Sequence, residues 1–146
     1  MSESNPQDWL PNQGAYNKLL NMQLVKWEKD LAVVHLEIDD RHLNTLRIAH
    51  GGVLLSAMDS ALGWCGMYRD PPENPQRCMT INLTTNFHAP IRRGRLIVTA
   101  RRTGGGKSVA HCEAEARDES GRLIGTATGA FKLLRERHTE AAKEQQ

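Results

Sequence analysis

His50, Gly51 and Gly52 open a stretch, Val53–Met67, that reads VLLSAMDSALGWCGM. Asp59 is its only charged side chain. A carboxylate in so apolar a segment costs several kcal/mol unless it is paired, hydrated or used. The glycine-rich start leaves backbone N–H groups free at a helix N-terminus, where they bind developing negative charge. A carboxylate and an oxyanion donor are two parts of a hydrolytic site. The plainer reading of Asp59, a structural acid hydrogen-bonded to local backbone or to Ser60, uses the same residues.

The elements that must position these groups follow from periodicity. A helix apolar almost all round is expected to be buried almost all round. It is predicted to end near Gly66–Arg69, before a run with prolines at 71, 72 and 75. Ahead of it, Ala15–Met22 reads as a short helix, and Gln23–Trp27 as a strand. Lys29–Asp30 fits a turn. Leu31–Ile38 alternates Val34, Leu36 and Ile38 with His35, Glu37 and Asp39, a strand with one buried face. After the helix come strands at Cys78–Phe87, Arg95–Thr103, Lys107–Arg117 and Leu123–Leu134, in a meander. Gly125, Ala127 and Gly129 in the last strand point to close approach of another element. The expected class is α+β, an antiparallel sheet curled around one long helix. Residues 1–13 read as a loose polar arm, 14–134 as one domain, and 135–146 as a charged tail.

Gly104–Ser108 reads GGGKS and invites comparison with a phosphate-binding loop. The spacing fails, because Arg101 stands where that motif needs glycine. A hairpin is the expectation.

With 146 residues, 39% of them hydrophobic and 25% charged, the chain has the size of one soluble domain. A net charge of +2 is too mild to indicate nucleic acid. Cys65, Cys78 and Cys112 are odd in number and lack metal-ligand spacing, so free thiols in a reducing compartment are expected. The first residues, MSESNPQDW, hold neither the basic nor the apolar part of a secretory signal, and no apolar run reaches about 18 residues. The expected location is the cytoplasm, with no membrane span.

The order of elements and the pattern Asn44-x5-His50-Gly51-Gly52-x6-Asp59 resemble the hotdog-fold acyl-CoA thioesterases. The closest likeness is to the phenylacetate-pathway, PaaI-like branch. The resemblance runs from about residue 14 to 134. It implies that Asp59 activates water or attacks the thioester itself. The Gly51 N–H and the Asn44 side chain would polarise the thioester carbonyl, and His50 would shape the corner. Thr80 falls where relatives carry a water-positioning Ser or Thr. Gly52, Met58 and Leu62 would line the acyl site, and Arg92, Arg93 and Lys107 would hold the phosphates of coenzyme A. No metal or organic cofactor is implied. One position departs: Arg47 stands where the family often has Gly.

Gly51 and Asp59 are eight residues apart, about 12 Å along a helix axis. The reacting carbonyl must lie near 3 Å from both donor and attacking group. Two antiparallel copies of the helix satisfy that, with Gly51 of one facing Asp59 of the other. A homodimer with two equivalent sites is therefore expected, and the branch often forms tetramers. Two other readings compete: a non-catalytic acyl-CoA-binding module, and an enoyl-CoA hydratase, whose Asp–His motif is not found here.

Overall fold

The computed structural model describes residues 13–70 and 76–134. The expected arm at 1–12, the proline run at 71–75 and the tail at 135–146 lie outside the described residues. Helix α1 spans Ala15–Leu20, followed by β1 (Met22–Glu28) and β2 (Leu31–Ile38). A single 3-10 turn, Asp40–His42, precedes the long helix α2 (Gly51–Met67). Then come β3 (Arg77–Phe87), β4 (Gly94–Gly105), β5 (Val109–Arg117) and β6 (Leu123–Leu134). Met22, expected to end the first helix, instead begins β1: Asn21 turns the chain with φ 58° and caps α1 through its backbone N–H.

All pairings are antiparallel, and the strand order is β1-β2-β4-β5-β6-β3. The meander therefore comprises three strands, β4 to β6. β3 does not continue into it but crosses to the far side and pairs with β6 along its whole length. That places β3 at an edge of the sheet, with one hydrogen-bonded neighbour.

The alternation read in Leu31–Ile38 is kept, and β5 shows the same pattern. Ala110, Cys112, Ala114 and Ala116 of β5 face the helix and are buried, and so are Val34, Leu36 and Ile38 of β2. α2 packs against all six strands. Small residues let it lie close. A Cβ on Gly66 would stand 3.3 Å from Ala110 Cβ, and one on Gly125 would stand 3.3 Å from Met58 Cε. Trp27 closes the helix C-terminus. Its Nε1–H donates to Trp64 O at 2.7 Å, and its ring meets Trp64 and Tyr68 edge-on at 5.2 and 5.4 Å. The GGGKS stretch is a β4–β5 hairpin. Gly105 has φ +100°, and a Cβ there would collide with the Val109 carbonyl, so this position requires glycine.

α2 is not buried all round. Val53, Leu54, Ala57, Met58, Ala61, Leu62 and Cys65 fill the core, but Gly52 and Leu55 are exposed and Asp59 is half-buried. The sheet wraps most of the helix and leaves one strip open. Asp59 lies on that strip.

Candidate functional site

The corner at the start of α2 is built by hydrogen bonds that Asn44 and His50 make with their own backbone. Asn44 Oδ1 accepts from the N–H groups of Leu46 (2.9 Å) and Ile48 (3.3 Å), and Asn44 N–H donates to Ile48 O at 2.8 Å. The loop closes so tightly that Arg47 takes φ 55°, the left-handed region where glycine is at ease. With its oxygen engaged, Asn44 keeps its amide N–H₂ without a partner among the described residues. His50 caps the helix: its Nδ1 accepts from Gly52 N–H at 2.8 Å. That bond requires the proton on Nε2 and removes Nδ1 as a base. Val53 and Leu54 N–H donate to His50 O. Gly51 N–H alone in this first turn has no partner among the described residues. The geometry thus leaves Gly51, rather than Gly52, as the open donor.

His42 holds the corner from behind. It is fully buried, its Nδ1 accepts from Asp39 N–H at 2.9 Å, and its Nε2 donates to Leu20 O at 2.8 Å. Its carbonyl accepts His50 N–H at 2.8 Å. Sequence reasoning passed over His42.

Thr80 and Asp59 meet: the Thr80 hydroxyl donates to Asp59 Oδ1 at 2.9 Å. A β-bulge between Thr80 and Asn82 leaves Ile81 as the extra residue. Such bulges bend a strand and re-aim its side chains. The neighbouring Cys78 thiol donates to Gly63 O at 3.9 Å. Burial first, then the nearby Asp59 charge and Cys112, pushes the Cys78 thiol up to about 11, so at neutral pH it is a protonated thiol and not a nucleophile. At the other end of β3, Phe87 covers Gly51, where a Cβ would stand 3.4 Å from the ring. β3 therefore runs from the Asp59 level of α2 to the Gly51 level.

Of the expected binding residues, Gly52 lies on the open strip of α2, and the others separate into three places. Met58 and Leu62 have no exposed surface and belong to the core under the sheet. Arg92 and Arg93 lie beside the Gly51 corner, because Ala49 N–H donates to Ile91 O at 2.8 Å. They line a cleft of about 360 Å³ with Ile38, Asp39, Asp40 and Arg41, and neither is paired with a carboxylate among the described residues. Lys107 sits in the hairpin beyond the other end of β4, whose 12 residues span roughly 35–40 Å. In one chain, Lys107 cannot share a phosphate with Arg92 and Arg93.

A model of the thioesterase superfamily matches residues 46–124, which include His50, Gly51, Asp59 and Thr80 but not Asn44. The chain belongs to that superfamily. A Pseudomonas aeruginosa protein, provisionally named an esterase, is 38% identical over 103 residues, covering 69% of this chain and 74% of that one. Among solved structures, a Haemophilus influenzae thioesterase superposes with a TM-score of 0.80 at 14% identity, covering 94% of this chain and 96% of that one. The Escherichia coli PaaI protein, from the phenylacetic acid degradation operon, does so with 0.78 at 20% identity, covering 90% and 91%. At these identities the two structures share the fold with this chain: six antiparallel strands curved around one main helix, the hotdog fold. Family membership makes the chain a thioester hydrolase.

Proposed function

We propose that this thioesterase hydrolyses acyl-CoA thioesters carrying a small aryl or medium-length acyl group, at a site shared between two chains. The observation that carries the proposal is one half-buried carboxylate, Asp59, oriented by Thr80 at 2.9 Å, on the same helix as the unpartnered Gly51 N–H. Gly51 N–H and the free Asn44 amide bind the carbonyl oxygen as it gains negative charge. Asp59 either takes a proton from water as it attacks, or attacks the carbonyl carbon itself to form an acyl–Asp59 anhydride that water then hydrolyses, freeing the carboxylate. The C–S bond breaks, coenzyme A leaves as thiolate and is protonated, and the acyl group ends as the free acid. His50 holds the corner and takes no proton. Arg92 and Arg93 are the better placed candidates for the coenzyme's phosphates, and a Lys107 contact has to come from another chain.

The edge position of β3 supports the shared site. Met79, Ile81 and Phe87 stand more than half exposed along an edge with one hydrogen-bonded neighbour, a surface suited to pairing with another chain. Antiparallel pairing of two β3 edges brings the Phe87–Gly51 end of one chain to the Thr80–Asp59 end of the other. That spans the 12 Å or so that separates donor and carboxylate within one helix.

The test is release of free coenzyme A thiol from a panel of aryl- and fatty-acyl-CoA thioesters, with wild type and Asp59→Asn side by side. Wild type is expected to turn over some members. Asp59→Asn should lose at least about 10²-fold, the scale on which one preorganised catalytic group acts, with assembly unchanged. Tight binding of acyl-CoA without thiol release from wild type would favour the binding-module reading.

A further inference from the structure

We infer that α1 is a wall of the acyl site and that the ring of Tyr16 selects flat, aromatic acyl groups. The inference rests on the acyl-CoA reading above and adds the element that sorts its substrates. α1 has no fully buried residue. Hydrogen bonds hold it, and two of them land on the helix that carries Asp59. Ser56 Oγ donates to Gly52 O at 2.7 Å, so the Tyr16 hydroxyl, 2.7 Å from Ser56 Oγ, is the donor in its own contact. One turn further on, Ser60 Oγ donates to Asn17 Oδ1 at 3.0 Å. Ser56 lies three residues before Asp59 and four before Ser60, so the two serines form one row beside the carboxylate, and α1 runs along that side of it.

α1 and β3 thus border the open strip of α2 from two sides. Gly52, Leu55 and Asp59 lie between them, and Leu55 is 36% exposed. Tyr16 is 58% exposed although its hydroxyl is fixed. A tethered hydroxyl with a bare ring leaves a rigid aromatic surface beside the carboxylate. Tyr loses little conformational freedom on binding, and aromatic pairs gain beyond the area they bury. An acyl group ending in a ring can use that gain, whereas a straight chain cannot.

The experiment uses coenzyme A thioethers, which bind but have no ester bond to hydrolyse: phenethyl-CoA and octyl-CoA, matched in carbon number. Dissociation constants are measured by calorimetry for wild type, Tyr16→Leu and Tyr16→Phe, with melting curves to confirm folding. Wild type is expected to prefer phenethyl-CoA, and Tyr16→Leu to reduce that preference roughly 2- to 10-fold, the range of one aromatic pair. Tyr16→Phe keeps the ring and should keep most of the preference. An equal preference in wild type and Tyr16→Leu would overturn the inference, and so would a loss in Tyr16→Phe as large as that in Tyr16→Leu. Because the readout is binding, a wild type that binds with this preference yet releases no thiol from thioesters would contradict the hydrolytic function and leave the role of Tyr16 standing.

Discussion

At the scale of single residues, Arg47 is the informative departure. It occupies φ 55°, and its N–H closes a turn on Asn44 O at 2.9 Å. The left-handed conformation costs a non-glycine residue about 1–2 kcal/mol, while glycine adds about 0.5–1 kcal/mol of unfolded-state entropy. Its ion pair with Asp40, 3.6 Å long and exposed on both sides, offsets little. Arg47→Gly is therefore expected to raise Tm slightly, by up to about 1 kcal/mol of stability, and to leave thiol release within about twofold. A clear fall in Tm would mean that the Arg47 side chain holds the loop. The Asn44–Asp59 pattern could be found in the sequence because its residues are close in the chain. The use of Asn44 Oδ1 by Leu46 and Ile48 could not, since it depends on how the loop closes.

At the scale of elements, the β5–β6 turn shows how one carboxylate fixes a register. Asp118 Oδ1 accepts from the Ser120 hydroxyl (2.7 Å), Ser120 N–H (3.0 Å) and Arg122 N–H (3.0 Å). The Ser120 hydroxyl first, then Arg122 N–H, holds the Asp118 carboxyl below the usual carboxylate range. A folded-state pKa that is depressed contributes stability above the unfolded value and loses it as pH falls through the folded one. Asp118→Ala should therefore lower Tm by a few degrees at neutral pH. The gap to wild type should close as pH falls below about 4, where the unfolded-state carboxyl protonates. A gap constant with pH would assign the effect to the turn backbone instead. The strands themselves were readable wherever one face is buried: β2 ends where its alternation says it should, and β6 has the bounds read for it. The place of β3 was not. Its pairing with β6 joins residues 38 to 57 apart in the chain, from Phe87↔Gly125 to Arg77↔Leu134, and nothing local in TINLTTNF distinguishes an edge strand from a central one. The open strip on α2 escaped for the same reason, since it exists only because the sheet stops at β3.

At the scale of the whole molecule, the proposed donor Gly51 and the proposed carboxylate Asp59 lie about 12 Å apart along one helix, so the proposal needs two copies. Mixed dimers test that directly. Gly51→Pro removes the proposed N–H donor at the first helical position, where proline is tolerated. His50 already has φ −59° and ψ 135°, the extended conformation that proline requires of the residue before it. Gly51→Pro and Asp59→Asn are each expected to be nearly inactive alone. If the site is shared, a mixed dimer holds one site with both wild-type groups and one with neither. Thiol release from an equal, re-associated mixture should then recover to about a quarter of the wild-type rate, since half the dimers are mixed and each has one intact site. Release that stays at the mean of the two parents would contradict a site built across the interface and put Gly51 and Asp59 to work within a single chain.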